Sequence, residues 1–143
     1  MSEGGEAVHS GGRAVLVTGA SRGIGRAIAL AFAARGDRVA VHYVSAFDEA
    51  KRTLAALEGD GHLIVQADLA DAGATREMVE AATGGLDGLD VAVNNAGTYV
   101  AHPIATASYE EWSDAWRRTI DVNLIGAANV AYCAARRMMA GGS

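Results

Sequence analysis

Apolar and polar positions follow one another in blocks along this chain of 143 residues. Short, uninterrupted apolar runs predict four strands, at residues 13–18, 38–44, 62–66 and 90–94. Segments with a helical spacing of apolar positions predict four helices, at residues 23–35, 47–58, 72–83 and 108–140. Continuous apolar strands are typical of strands that are buried on both faces of a parallel sheet.

The order of these elements predicts the fold class. Repeated strand–helix units build a parallel sheet with right-handed connections and helices on both faces. We therefore expect an α/β fold, a Rossmann-type doubly wound parallel sheet that is incomplete, with four strand–helix units. Residues 1–12 are rich in glycine and poor in core-forming side chains, which predicts a disordered tail followed by one domain over residues 13–143.

Punctuating residues predict where the helices begin and end. We expect Gly36, Gly59 and the Gly84-Gly85 pair to end the first three helices. Ser108, with Glu111 three residues later, predicts a capping box at the start of the fourth helix.

A glycine-rich turn connects the first strand to the first helix and reads TGASRGIG over residues 18–25. A strand, a glycine-rich turn and a helix together present backbone N–H groups and a helix N-terminus to a phosphate. We expect Gly19 to allow the sharp turn, Gly23 to let a pyrophosphate approach the backbone, and Gly25 to let the helix pack close to the sheet. The spacing is G-x-x-x-G-x-G rather than G-x-G-x-x-G, and a tight connection without a ligand is the alternative.

Composition narrows the classes of function. The net charge of −5, without a block of basic residues, argues against a nucleic-acid partner. Cys133 is the single cysteine, which rules out a disulfide within the chain and favours a reducing, cytoplasmic setting. No apolar run approaches the ~20 residues that span a membrane, and we expect neither a secretory signal nor a membrane partner. The four histidines have no metal-ligand spacing, and we expect no metal site.

The chain resembles the short-chain dehydrogenase/reductase family from about residue 13 to residue 140. Four motifs carry the resemblance in the family's order: the turn at 18–25, Asp68-Leu69 after the third strand, NNAG at 94–97 and DVNL at 121–124. The resemblance implies an NAD(P)-dependent oxidoreductase that interconverts a carbonyl and an alcohol by hydride transfer. It also implies a small-molecule substrate and a parent protein that forms homo-oligomers.

The resemblance further implies which residues hold the cofactor. The glycine turn would bind the pyrophosphate and its riboses, Asp68 and Leu69 would meet the adenine, and the segment 95–97 would line the nicotinamide-side ribose. For Asp68 a helix-cap or turn role is the alternative, and we expect Asn94 to be structural, tying neighbouring strands together. The expected cofactor-binding residues are Gly19, Ser21, Arg22, Gly23, Ile24, Gly25, Tyr43, Ser45, Asp68, Leu69, Asn95, Ala96 and Gly97.

Asn123 is the candidate catalytic residue. A helical projection makes it the only strongly polar member of a stripe that also contains Trp112, Trp116, Ile120, Ala127, Val130, Ala134 and Met138. A buried amide is costly unless it is hydrogen-bonded, and we therefore expect a partner for it. By resemblance, Asn123 would kink the helix and hold a water in the proton relay. A satisfied buried asparagine without a relay role is the alternative.

The end of the second strand bears on cofactor choice. NAD-preferring relatives place an acidic residue there to accept hydrogen bonds from the ribose 2′-OH. Here that end reads HYVS over residues 42–45, without a carboxylate, and Arg22 adds positive charge. We therefore expect NADP to be preferred over NAD. Family members of the NADP type often carry Arg where Val44 stands, and a solvated role for Arg22 is the alternative.

The remaining catalytic groups of the family, a Ser and a Tyr-x-x-x-Lys pair, follow a fifth strand that this sequence does not contain. Lys51 is the only lysine and lies in the second helix. Tyr132 and Arg136 copy the spacing, but arginine does not replace lysine as a titratable group. We expect a fragment of a reductase that is inactive alone. A short protein that binds a nucleotide or another protein without catalysis is the alternative.

Overall fold

Four parallel strands form one sheet in the computed structural model, which describes residues 11–142. The strands are β1 (Ala14–Val17), β2 (Arg38–Tyr43), β3 (Leu63–Gln66) and β4 (Val91–Val93). Their order is β3-β2-β1-β4, and each neighbouring pair is parallel. The order reverses between β1 and β4, which makes this gap the switch point of the sheet. The expected Rossmann-type class is confirmed, while the expected tail lies outside the described residues except for Gly11 and Gly12.

Helices cover both faces of this sheet. On one face, α1 (Gly23–Ala34) and α2 (Phe47–Ala56) pack on Val15 and Val17 of β1. On the other face, α3 (Ala72–Leu86) and α5 (Ala127–Gly141) pack on Ala14 and Leu16. Successive β1 side chains thus enter opposite cores, as the pleat of a strand requires. No described helix is both long and apolar enough to cross a membrane.

The strands differ in burial according to their place in the sheet. Every residue of β1 is buried, as are four of the six residues of β2. Strands β3 and β4 are mostly half-buried, because each lies at an edge of the described sheet. The expectation of burial on both faces therefore holds for the central strands alone.

The start of β1 is fastened to the loop before β2 by an ion pair. The carboxylate of Asp37 accepts hydrogen bonds from the Arg13 backbone N–H at 2.9 Å and from the Arg13 guanidinium at 2.8 Å and 3.2 Å. Asp37 is 5% exposed. The hydrogen bond from the Arg13 side chain is the main reason that the pKa of Asp37 lies below its ordinary value.

The predicted long helix has three parts. Helix α4 (Tyr109–Ile120) leads into a π-helical segment (Asp121–Gly126), and α5 follows. The capping box at Ser108 and Glu111 is confirmed by a 3.1 Å bond to the Ser108 hydroxyl and a 2.7 Å bond to the Glu111 carboxylate. A π turn holds an extra residue and shifts the face that later residues present. Asn123 is exposed, as are Trp116 and Ile120 before the π-helical segment, whereas Val130 and Ala134 after it are buried. The expected burial therefore holds only for the later part of the stripe.

Helix α3 continues through Gly84 and Gly85 to Leu86, and the prediction that the glycines end it was wrong. At Gly85, a Cβ atom would overlap the side chain of Leu63 in β3. The glycine therefore allows a close approach of helix and sheet, which buries Leu86 to 1% exposure. The helix ends one residue later, where Asp87 adopts a left-handed φ of 56°.

Candidate functional site

A cleft of about 460 Å³ opens at the carboxyl ends of β1, β2 and β4. It lies at the switch point of the sheet, where open α/β folds bind their ligands. Two residues that the sequence did not single out as contacts, Val44 and Ala46, complete its wall. The cleft brings together eleven of the predicted cofactor-binding residues: Gly19, Ser21, Arg22, Gly23, Ile24, Gly25, Tyr43, Ser45, Asn95, Ala96 and Gly97.

Two glycines of the turn have different geometric reasons to be glycine. Gly23 has a φ of 58°, and a Cβ added there would meet no atom within 4 Å, which shows that it faces open space in the cleft. Gly25 is enclosed: a Cβ there would overlap the carbonyl oxygen of Gly19 and lie 2.5 Å from the Asn95 amide nitrogen. The close approach expected at Gly25 is thus made to the turn and to Asn95 rather than to the sheet.

The N-terminus of α1 is left open towards the cleft. Its N-cap residue, Arg22, makes no side-chain capping bond, and the first turn of the helix holds no acidic residue. By contrast, Asp71 caps α3 by accepting from the Ala74 N–H at 3.0 Å, and Ser108 caps α4. The first N–H groups of a helix have no intrahelical acceptor, and the helix dipole favours negative charge at this end. The geometry therefore suits an anion beside Gly23.

The first three N–H groups of the turn are already occupied, beginning with that of Thr18, which donates to the Val93 carbonyl at 3.1 Å. Gly19 donates to the Nδ1 atom of His42 at 3.0 Å, and Ala20 donates to the His42 carbonyl at 2.9 Å. The donors free to meet a phosphate must therefore come from later in the turn, where α1 begins. His42 was not predicted as a site residue, although a polar side chain within the apolar run of β2 was a usable signal.

A hydrogen-bond network joins the ends of β1 and β4 across the switch point. The buried hydroxyl of Thr18 accepts from the backbone N–H groups of Asn95 at 3.1 Å and Ala96 at 3.0 Å, and it donates to the Val93 carbonyl at 3.2 Å. The Asn95 side chain donates to the carbonyls of Thr18 at 3.0 Å and Gly19 at 3.2 Å. Sequence reasoning missed Thr18, whose signal was a hydroxyl at the end of an apolar strand.

Two further asparagines, Asn94 and Asn123, hold segments next to the cleft. Asn94 donates to the Ala127 carbonyl at 3.0 Å and thereby ties β4 to α5, while the strand-joining role that we expected of it belongs to Asn95. Asn123 accepts from the Thr98 N–H at 2.7 Å and donates to the Thr98 carbonyl at 2.9 Å. The partner expected for Asn123 is thus the backbone just after Gly97.

Asp68 and Leu69 lie outside the wall of the cleft. One oxygen of Asp68 binds the Arg118 guanidinium of α4 at 2.9 Å, and the other accepts from the Ala70 N–H at 3.0 Å, as a turn residue does. The bond from Arg118 is the main reason that the pKa of Asp68 lies below its ordinary value. Leu69 is 2% exposed and packs in the core, which leaves any contact with a nucleotide to its backbone. Arg118 had no sequence signal.

Comparison with known proteins bears on this site. Residues 13–143 match the family model of the short chain dehydrogenases. The chain belongs to the short-chain dehydrogenase family. It is 41% identical over 117 residues to the 3beta-hydroxysteroid dehydrogenase 1 of Eggerthella lenta, covering 80% of this chain and 43% of that protein. It is 36% identical over 129 residues to the 3-oxoacyl-acyl-carrier-protein reductase FabG of Staphylococcus aureus, covering 89% and 51%.

The chain spans about half the length of the curated short-chain dehydrogenases that it matches. Among solved structures, a short chain dehydrogenase of Burkholderia cenocepacia in complex with NADP superposes with a TM-score of 0.78 and 36% identity. That match covers 89% of this chain and 51% of the other.

Charge is sparse in this short-chain dehydrogenase cleft. Of the 13 described residues that line it, Arg22 alone is charged, and none is acidic. Arg22 is exposed and lines the cleft together with Tyr43, Val44 and Ser45 from the end of β2. The cleft is therefore neutral to positive and suits a ligand that carries phosphate groups.

Proposed function

We propose that residues 13–143 form a nucleotide-binding unit that holds NADP in this cleft, as part of an oxidoreductase acting on a small-molecule carbonyl or alcohol. The observation that carries the proposal is the uncapped N-terminus of α1 beside Gly23, at the switch point of the sheet. This end offers N–H donors, a favourable dipole and open space together.

The described residues fit the dinucleotide. The N–H groups at the start of α1 would bind the pyrophosphate, Asn95 and Gly97 would line the nicotinamide-side ribose, and the backbone beside Asp68 would meet the adenine. Bound NADP supplies the hydride donor or acceptor of the reaction. The contribution of this chain is to bind and orient that cofactor between two strand ends that the Thr18 and Asn95 network fixes.

The first experiment separates ligand contact from backbone strain. Gly23 and Gly36 both have positive φ, of 58° and 88°, and a Cβ at either one meets open space. Gly23→Ala and Gly36→Ala should therefore cost similar stability, of the order of 1–2 kcal/mol. Only Gly23→Ala places its methyl group where the pyrophosphate would lie. We expect calorimetry to show at least a tenfold loss of NADP affinity in Gly23→Ala and little change in Gly36→Ala. Equal affinities in two folded variants would remove the site.

NADP rather than NAD is favoured by the charge of the cleft wall, and the Burkholderia relative was solved with NADP. A hydrogen bond from Arg22 to the 2′-phosphate would contribute about 1.5–3 kcal/mol, which is roughly a ten- to hundredfold preference. Competition titration of Arg22→Gln should abolish that preference. Arg35→Gln is the matched control, because it removes an exposed arginine from the other end of α1. If NAD competes equally in the unmodified chain, the preference is refuted.

Catalysis by the chain alone is a separate question. The 143 residues contain no Tyr-x-x-x-Lys pair, and a positioned general acid or base contributes typically 10²–10⁴-fold in rate. Asn123 would support a water relay by holding the segment after Gly97. We expect the purified chain to bind NADPH without oxidising it in the presence of a panel of carbonyl compounds. Turnover that Tyr132→Phe abolishes would show that the tyrosine before Arg136 is catalytic after all.

A further inference from the structure

His42 is a fully buried imidazole at the carboxyl end of β2, with 0% exposure. Its Nδ1 atom lies 3.0 Å from the Gly19 backbone nitrogen, and its Nε2 atom lies 2.9 Å from the Ala67 carbonyl oxygen. A backbone N–H only donates and a carbonyl only accepts. The ring is therefore neutral, with its proton on Nε2 and its lone pair on Nδ1 directed at Gly19.

These two bonds join segments on both sides of β2. Gly19 is the first glycine of the turn, and Ala67 follows β3 and precedes Asp68. The backbone of His42 adds a third bond, because its carbonyl accepts from the Ala20 N–H. His42 thus fixes Gly19 and Ala20 of the turn relative to Ala67 and the segment expected beside the adenine.

We propose that His42 is a positioning residue of the nucleotide site, whose neutral ring holds the glycine turn in its binding conformation through the Gly19 N–H. Protonation of Nδ1 by solvent would convert its acceptor into a donor facing another donor. The Gly19 bond would then break, and the turn would be released. The inference rests on the proposed nucleotide-binding function and adds the residue that organises the site.

The surroundings favour the neutral ring. Burial lowers the pKa of His42 below its ordinary value, while the bond to the Ala67 carbonyl opposes this shift. The ionisable groups on the adjoining segments are Arg22 in the turn, Arg38 and Tyr43 on β2, and Asp68. The charge of Asp68 is paired with Arg118 of α4. From α3 and α5, the core on this face of the sheet contributes apolar side chains, among them Met78, Val79 and Val130.

Two substitutions separate the two hydrogen bonds. The side-chain oxygen of Asn takes a position similar to Nδ1, and the side-chain nitrogen of Gln takes one similar to Nε2. His42→Asn therefore keeps the acceptor for Gly19, and His42→Gln keeps the donor to Ala67. At about pH 7.5, where the histidine is neutral, we expect NAD affinity to be retained in His42→Asn and to fall roughly two- to tenfold in His42→Gln, the size of one hydrogen bond.

The pH dependence of NAD affinity distinguishes a positioning role of His42 from a merely structural one. NAD is the probe because, unlike NADP, it carries no phosphate monoester that titrates near about pH 6. In the unmodified chain, affinity should fall by up to about tenfold per pH unit once His42 begins to protonate below about pH 6.5, while His42→Asn should stay flat. Urea unfolding at each pH confirms that both proteins are folded.

Nitrogen NMR of the His42 ring, with the Gly19 amide signal, reports the same event without a ligand. If the ring carries its proton on Nε2 and its titration moves the Gly19 signal, the inference is supported. Failure of NAD to bind would then refute only the proposed function. A Gly19 signal indifferent to that titration, or parallel pH profiles in the unmodified chain and His42→Asn, would overturn it. If the ring stays neutral down to about pH 5, equal affinities in the Asn and Gln variants overturn it.

Discussion

Replacing Gly25 with alanine should destabilise this protein, although alanine is the better helix former by up to about 1 kcal/mol. The new Cβ would overlap the Gly19 carbonyl oxygen and lie 2.5 Å from the Asn95 amide nitrogen. Neither group has freedom to withdraw. The Asn95 amide is bonded to the carbonyls of Thr18 and Gly19, and Gly19 has a φ of 63° and is held by His42.

The magnitude follows from these contacts. Overpacking a closely packed site costs about 1–3 kcal/mol, and displacing the Asn95 side chain removes bonds that contribute about 0.5–1.5 kcal/mol each. After the helix-propensity gain is subtracted, a net loss of about 1–5 kcal/mol in the free energy of unfolding remains. Nucleotide affinity should fall as well, because the turn moves with its packing.

Gly84→Ala is the matched control for this prediction. Gly84 is also a helical glycine, but it is exposed, and a Cβ there meets no atom within 4 Å. That substitution should stabilise the chain by up to about 1 kcal/mol. Urea unfolding of the two variants should thus show shifts of opposite sign. A Gly25→Ala protein that is as stable as the unmodified chain would refute the reasoning, because it would mean that the turn yields at little cost.

Three further substitutions test the fastenings of the fold. Asp37→Asn removes a carboxylate whose pKa Arg13 holds below its ordinary value. The stability that this pKa difference contributes is fully present above about pH 3.9, the ordinary pKa of the unfolded chain, and is lost as the pH falls through the lower pKa of the folded protein. Urea unfolding curves of the two proteins should therefore converge on acidification, whereas a gap independent of pH would contradict the ion pair. Ser108→Ala should cost about 0.5–2 kcal/mol and speed amide exchange in α4 but not in α1, because it removes the capping box. Asn123→Ala should speed exchange of the Thr98 amide, whose acceptor it removes; unchanged protection there would mean that another group holds this loop.

The part of the site predictable from the sequence is the part set by strand order. Parallel strands end at one edge of the sheet, and the segments that follow β1, β2 and β4 therefore meet there. This brought the glycine turn, Ser45 and residues 95–97 into one cleft without any knowledge of side-chain contacts. The turn itself was predictable because a positive φ and a close approach of the backbone both favour glycine.

The features of the site that the sequence did not predict depend on how far a helix face is covered and on which residues bond to each other, rather than on the order of the strands. Asn123 was placed on a buried stripe from helical spacing alone, but the exposed part of that stripe begins before the π-helical segment, at Trp116 and Ile120. The spacing shows which residues share a helix face, and only the fold shows how far that face is covered. The strand-joining bond expected of Asn94 is made by Asn95, because adjacent residues after a strand point to opposite sides and their partners are known only from the fold. The bonds of His42 to Gly19 and of Arg118 to Asp68 join segments far apart in sequence, which no local pattern encodes.

The glycine turn consists of an anchored first part and an exposed later part. Its first residues are anchored: Thr18, Gly19 and Ala20 are bonded to β4, Asn95 and His42. Its later residues, from Arg22 to Ile24, are exposed and face the cleft. Conservative substitutions in the anchored part should therefore change stability and nucleotide affinity together. Substitutions at exposed side chains of the later part should change affinity alone. Thr18→Val against Ile24→Ala, compared by urea unfolding and calorimetry, tests this division, and a Thr18→Val protein of full stability would contradict it.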